Sequence, residues 1–453
     1  MRHLNGLFKY IDRNADHFIE DLRILCQQPS VSAQKRGIDE CVGLLEKIME
    51  DIGLEVRIFE IKNGNPIIFG ELRSGSSKEC LGFYNHYDVQ PPDPLDEWDS
   101  PPFNPVIKDG KLYARGASDN KGDLISRLEA VRAFLEVCGD VPVSLKFLIE
   151  GEEESGSPHL PDFVRENADL LKADGYLWEG EGVDMEGRPI VTLGAKGILY
   201  VEFRTRGPKV DVHSSRAPLV PNPAWRLVWM LSMLKGPDEK IKIPGWYDDV
   251  VPPDEEDMRL LKEAPFDEEA DKKELGIKEY LLGVTGVESL KTLLFSPTCN
   301  ISGFFSGYTG SGTKTVLPSE AFARVDFRLV VAQKPNLLFR KLKNYLKENG
   351  FEDITVIKHS AYEAAKTPVN DPFVTRVVKT AKRIYGLKPV IWPTAAGTGP
   401  LYVIRNWLGI PVVSAGGAGY PGSRIHAPNE NIRLKDYIRS IKYMVALMNS
   451  YEE

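Results

Sequence analysis

A repeated change of hydrophobic period constrains this chain more than any other feature. The apolar run ECLGFYNHYDV at 79–89 reads as an interior strand, and NKGDLISRLEAVRAFLEVCG at 120–139 carries the spacing of an amphipathic helix. VPVSLKFLIE at 141–150 returns to a strand. The same exchange surrounds this segment. Helical FIEDLRILCQQ and IDECVGLLEKIMEDIGL, the second stopped at Gly53, lead into the strands EVRIFEI and NPIIFGEL, while PDFVRENADLL and the short strand DGYLW follow. Strands separated by helices predict an α/β fold with a mostly parallel sheet and helices on its faces.

After TLGAKG the pattern shifts. ILYVEFRTRG and EAFARVDFRLVV read as strands with one solvated face, accompanied by the helices PAWRLVWMLSML and LLFRKLKNYLKENG and by ITVIKHSAY. From about Asp371 the first alternation resumes and runs to a final helix, LKDYIRSIKYMVALM. A chain of 453 residues exceeds one ordinary core. The simplest organisation is one discontinuous domain, residues 1–195 and 368–453, with a two-layer α/β domain, 196–367, inserted into it. DDVVPPDEEDMRLLKEAPFDEEADKKE reads as a solvated excursion from the insert.

Composition excludes several partners. The net charge is −8 with no basic block, which argues against nucleic acid or an anionic membrane as the main partner. The start, MRHLNGLFKYIDRNADHF, interrupts its apolar positions with Arg, Lys and Asp, unlike a signal peptide, and LVWMLSML is far short of the roughly 20 residues that span a bilayer. Five scattered cysteines, Cys26, Cys41, Cys80, Cys138 and Cys299, have no metal-clip spacing and read as reduced thiols of a cytoplasmic protein.

Open α/β sheets bind ligands beyond the carboxyl ends of their strands. There this chain places His86 and Asp88 after CLGFYN, Glu153 and Glu154 after VSLKFLI, Glu179 after DGYLW, and His426 after IPVVSAGG; Asp119 precedes the long helix. Singly, each has an ordinary explanation: a strand-end histidine, a helix N-cap, loop acids, a histidine before a proline turn. Together, five oxygen or imidazole ligands on one predicted edge point to a metal centre. His86, Asp119 and Glu179 would hold one divalent ion and Asp119, Glu154 and His426 a second, with Asp119 bridging. Such a pair, about 3.5–4 Å apart, can hold a hydroxide at neutral pH and polarise a carbonyl. Ligands without thiolate suit Zn best, with Mn or Co as alternatives. Glu153, left free beside its ligand neighbour, would be the general base, and Asp88 would accept the second imidazole N–H of His86. Glu150 and Glu152 read as a strand end and a solvated acid.

In order along the chain, HYDVQP, GASDNKG, EGEEESGS, HSS with NP, GYTGSGTKTVLP and IHAPNE resemble the motifs of the di-metal exopeptidases, a family that includes aminoacylase, acetylornithine deacetylase, carnosinase and the cytosolic nonspecific dipeptidase. The resemblance covers nearly the whole chain. It implies that the inserted domain is a lid and dimerisation domain, that the protein is a homodimer, and that His213 reaches the partner's active site to stabilise an oxyanion. It implies that Arg328 binds the substrate carboxylate, with Asn300, Thr398 and Gly399 as further contacts. It also implies a cis Asp119–Asn120 bond. Glu179 is preferred to Glu181 as fifth ligand because it ends the apolar strand.

The favoured function is metal-dependent hydrolysis of dipeptides or short peptides next to a free carboxylate, by a metal-bridging hydroxide with Glu153 as base; the motifs lie closest to the dipeptidase branch. A deacylase of N-acyl amino acids would use the same centre. An inactive binding protein on the same fold would lack a ligand or Glu153, and none is missing.

Overall fold

Among the described residues of the computed structural model, 2–452 with side chains from residue 4, eight strands build the principal sheet. Their order is Glu55–Phe59, Ile67–Leu72, Ser144–Glu150, Cys80–His86, Gly175–Trp178, Val412–Ala415, Ile190–Thr192 and Val390–Trp392. The central strands pair in parallel, Cys80–His86 with both Ser144–Glu150 and Gly175–Trp178, and the latter with Val412–Ala415. Antiparallel pairs join Ile67–Leu72 to its two neighbours and Val412–Ala415 to Ile190–Thr192. The mostly parallel α/β fold expected from the alternation is therefore present. Leu81 to His86 are buried throughout, as a strand covered on both faces requires.

The chain forms two compact units. The first comprises Met1–Gly194, Lys366–Pro393 and Val403–Glu453. In it, helix Lys121–Cys138 packs against the C-terminal helix Leu434–Asn449, and one apolar core joins them to the sheet. Lys121 opens that helix fully buried, its ammonium donating to the carbonyls of Leu25 (3.0 Å) and Gln28 (2.6 Å), so the charge is satisfied without an acid.

The second unit, Ala195–Ala365 with Thr394–Tyr402, has an antiparallel sheet ordered Asn300–Ser306, Glu320–Leu329, Gly194–Arg206 and Thr355–Tyr362. Helices Pro223–Leu234 and Pro335–Glu348 contribute Leu227, Met230, Leu338 and Leu342 to a core shared with Phe203 and Phe327. Thr394–Tyr402, expected with the discontinuous domain, belongs here instead, because Ala395–Thr398 pairs in parallel with Gly194–Arg206. The supposed solvated excursion is also corrected. It contains helices Glu255–Glu263 and Glu268–Leu275, the first held by a reciprocal Asp254–Asp257 capping box and burying Leu260 and Leu261. No helix among the described residues is long and apolar enough to cross a membrane.

Candidate metal centre

The first unit brings the expected ligands together. His86 leaves the end of its strand fully buried, with Nε2 3.0 Å from Asp119 Oδ1. The other Asp119 oxygen lies 3.0 Å from His426 Nε2, and that nitrogen is 3.1 Å from Glu154 Oε2. Asp119 thus stands between two imidazoles, the position expected of a bridging carboxylate. Donor atoms of His86, Asp119 and Glu154 lie within 4.8 Å of one another, as do those of His86, Glu153 and Glu179. His426 adopts φ +61°, a left-handed conformation rare outside glycine, at the turn that aims its ring.

The donors themselves show that a cation fits. His86 Nδ1 lies 2.9 Å from the Asp88 carbonyl oxygen, which can only accept, so Nδ1 carries the proton. In the neutral ring the Nε2 lone pair then faces a carboxylate oxygen, an arrangement that needs a cation between them or a charged imidazole. Glu179 Oε1 is buried without a hydrogen-bond partner. Burial first, then the charges of Glu153, Asp119 and Glu154 against His86, drive the Glu179 carboxyl well above its usual range. For Asp119, burial opposes ionisation, but when both imidazoles are charged the hydrogen bonds from His426 and His86 outweigh it and lower the pKa. The nearby buried cations are engaged elsewhere: Arg115 with Glu430, Lys121 with backbone carbonyls, and Arg127 with Asn85 and strand-end carbonyls.

A buried polar frame positions the donors, and sequence reading missed most of it. Arg127 donates to Tyr84 O (2.6 Å), Asn85 Oδ1 (2.6 Å) and Trp178 O (3.1 Å), tying together the ends of the two strands that deliver His86 and Glu179. Glu430 accepts from the amides of Gly116 (2.9 Å), Ser118 (2.9 Å) and Asp119 (3.0 Å) and from Arg115 (2.8 Å). The turn it braces has a cis Asp119–Asn120 bond, and Asn120 accepts from Asn85. Asp88 differs from expectation. Its carbonyl takes the imidazole proton, its carboxylate lies 3.4 Å from Nδ1, and that carboxylate accepts the amides of Glu153 (3.2 Å) and Glu154 (3.1 Å). Glu152 is not a solvated acid, since His159 Nδ1 lies 2.7 Å from it, and Glu150 is buried against the hydroxyls of Tyr84 (2.5 Å) and Ser157 (2.8 Å). Glu181 accepts from Thr192 (2.8 Å) and belongs to neither donor group.

The remaining expected residues lie in the second unit. Arg328 Nη1 donates to Thr398 Oγ1 at 2.7 Å, and Asn300 Nδ2 to Asp326 Oδ2 at 2.9 Å across the pair Asn300↔Asp326. Gly399 follows Thr398 directly at the end of its strand. His213 is exposed, with Nδ1 accepting from the Ser215 amide at 3.2 Å.

Sheet, edge and donor set together define a metallohydrolase of the α/β class. The chain belongs to peptidase family M20/M25/M40, whose family model matches residues 82–450. It is similar to the M20 family metallo-carboxypeptidase Sso-CP2 of Sulfolobus solfataricus, with TM-score 0.91 and 41% identity, covering 96% of this chain and 99% of that one. It is 28% identical to the Beta-Ala-His dipeptidase of Mus musculus, over 98% of this chain and 94% of the relative. The Cys-Gly metallodipeptidase of Schizosaccharomyces pombe is likewise 28% identical, over 97% of this chain and 96% of its own.

Proposed function

We propose that this protein is a dipeptidase that cleaves the amide bond next to a free C-terminal carboxylate and uses two divalent cations, Zn foremost. The observation that carries this reading is Asp119 standing 3.0 Å from both His86 and His426, with Glu154 joining His86 and Asp119 in one donor group and Glu179 joining His86 and Glu153 in the other. Imidazole and carboxylate donors without thiolate suit Zn, with Mn or Co next. Cations held there supply Lewis acidity, drawing charge from the scissile carbonyl and making a water acidic near neutral pH.

The chain's own groups do the rest. The Glu153 side chain accepts no hydrogen bond among the described residues, so its carboxylate is free to take the proton of the attacking water and return it to the leaving amine. Arg328, held by Thr398, presents a planar fork to the substrate carboxylate, while Asn300 and Gly399 lie on the same second unit to add contacts. His213, exposed on a short strand, stabilises the oxyanion from a partner subunit in a homodimer. The inserted unit serves as lid and dimerisation surface. Five free cysteines, three of them buried, suit a cytoplasmic setting.

The test compares a free dipeptide with the matching N-acetyl amino acid, using chelated enzyme before and after Zn, Mn or Co is restored. Metal-dependent cleavage of the dipeptide is expected. Preference for the acetylated compound would make the protein a deacylase.

A further inference from the structure

Beside the donor cluster, within the first unit, lies a cavity of about 380 Å3. One wall is acidic, with Asp119, Asp123, Glu179 and Glu181. Val183, Ile190, Tyr420 and Ile425 add apolar surface to the same lining. The cavity is continuous with the centre, because Asp119 and Glu179 line both.

The four acids are not equivalent. Asp119 and Glu179 belong to the donor sets. Asp123 is buried and already occupied, accepting the Ala418 amide at 2.8 Å and lying 3.4 Å from Asn120 Nδ2. Of the two acids outside the donor sets, Glu181 is the one with capacity to spare. Its side chain accepts one hydrogen bond, from Thr192 Oγ1 at 2.8 Å, which leaves most of its lone pairs open beside the cavity.

Its position is built rather than incidental. Gly180 and Gly182 flank it, and a Cβ at either would fall 2.5 Å from Gly417 Cα or 1.7 Å from Gly419 O, so no larger residue lets the two loops approach this closely. The Glu181 carbonyl accepts the Gly417 amide at 2.6 Å, and the Val183 amide donates to Gly419 O at 3.0 Å. A carboxylate is thereby held in a cavity that it shares with apolar side chains and with Glu179 of the donor cluster.

Resting on the dipeptidase reading, we propose that this cavity takes the amino-terminal residue of the substrate, with Glu181 pairing the free α-ammonium and the apolar part of the lining receiving the side chain. An N-acyl nitrogen is neutral and leaves the Glu181 carboxylate without a cation, so the pocket selects dipeptides over N-acyl amino acids.

The experiment measures kcat and KM for L-alanyl-L-leucine and for propionyl-L-leucine, which lacks only the ammonium, in wild type, Glu181→Gln and Glu181→Asp, with metal content checked in each. In the wild type the ammonium-bearing substrate is favoured. Glu181→Gln lowers that preference about 10- to 100-fold, mainly through KM for the dipeptide, as loss of a charge-assisted pair predicts. Glu181→Asp, which keeps the charge on a shorter arm, falls between the two and serves alone if Glu181→Gln does not fold. Unchanged preference in a metal-loaded variant overturns the assignment. A wild type that cleaves propionyl-leucine faster than alanyl-leucine removes the dipeptidase reading itself, and the proposal with it. That failure is visible before any variant is made, so the two are distinguished.

Discussion

Replacing Glu430 by glutamine would remove one of the two acceptor oxygens that together serve four donors. One carboxylate oxygen accepts the amides of Ser118 and Asp119, and the other accepts the Gly116 amide and Arg115 Nη1, all at 2.8–3.0 Å. Glutamine retains one acceptor oxygen, so whichever way it turns, its NH2 meets two donors. With the oxygen toward Ser118 and Asp119, the buried Arg115 loses its carboxylate, a loss of about 3–5 kcal/mol, and the Gly116 amide is orphaned for a further ~1–3 kcal/mol. Arg115 keeps a 3.3 Å bond to Pro91 O and its place over the Trp98 ring, so the expected total is about 4 kcal/mol. Adding Arg115→Met removes the stranded cation and should recover about 3 kcal/mol of it. The assay is native-state hydrogen exchange of the 114–121 segment in the single and double variants, with metal titration alongside. Exchange of the Gly116–Asp119 amides should accelerate at least 100-fold, and metal affinity should fall about 10- to 100-fold as Asp119 loses its anchor. A single variant that exchanges like wild type, or a double variant no better than the single, would refute the bracing role.

Glu153→Gln should retain its metals by elemental analysis while turnover falls at least 10²–10⁴-fold. Arg328→Lys, which loses the planar fork, should raise KM for a dipeptide about 10- to 100-fold and leave KM for the dipeptide amide unchanged. Mixing His213→Ala subunits with Glu153→Gln subunits should restore partial activity if the site is shared across a dimer; proven exchange without recovery counts against it. Glu129 is buried, and burial, opposed by Arg132 at 2.9 Å and reinforced by Asp21, lifts its carboxyl to about 8. The folded state therefore keeps a proton that the unfolded state has lost above pH ~4.5, so stability falls as pH rises from there toward 8. In denaturant titrations across that range Glu129→Gln should flatten the slope, and an unaltered slope would exclude this origin.

What was legible in the sequence was whatever depends on one strand or helix and its end. The central strands show as apolar runs, and ligand-type residues after four of them identify the carboxyl edge without knowledge of strand order. Order itself was not legible, because Ile67–Leu72 pairs antiparallel with Ser144–Glu150 across the intervening residues 73–143, which give no local sign of it. The acid-rich excursion was misread because charge density hid an apolar stripe; the Asp254–Asp257 spacing was the available signal for a helix start. The frame around the centre escaped for another reason. Arg127 looks like any charge on an amphipathic helix, and only tertiary packing buries it among strand-end carbonyls. Asp88 was expected at the imidazole, but a residue two positions on offers its carbonyl as readily as its carboxylate, and the carboxylate is taken by the Glu153 and Glu154 amides.

The run EGEEESGS shows why acids can crowd at the end of a buried strand. Each carboxylate in it has a different solution to losing water. Glu150 turns inward to two hydroxyls, Glu152 meets His159, and Glu154 accepts from Gln90 at 2.8 Å and faces His426. Glu153 has none of these. Without a cation in the centre, burial raises its carboxyl above the usual range, with His86 opposing and Asp119 and Glu154 adding to it; cations held by its neighbours would bring it down again and leave a carboxylate able to take a proton. A group assigned to carry a proton between water and a leaving amine has to be placed firmly yet left unpaired, because a hydrogen-bond donor fixed on its oxygens would hold the charge it must give up. The Asp88 clamp meets the first condition by binding the Glu153 amide rather than its side chain. The second is met because no donor among the described residues reaches the Glu153 side chain, whereas Glu154, its amide held by the same Asp88, accepts from Gln90 and faces His426.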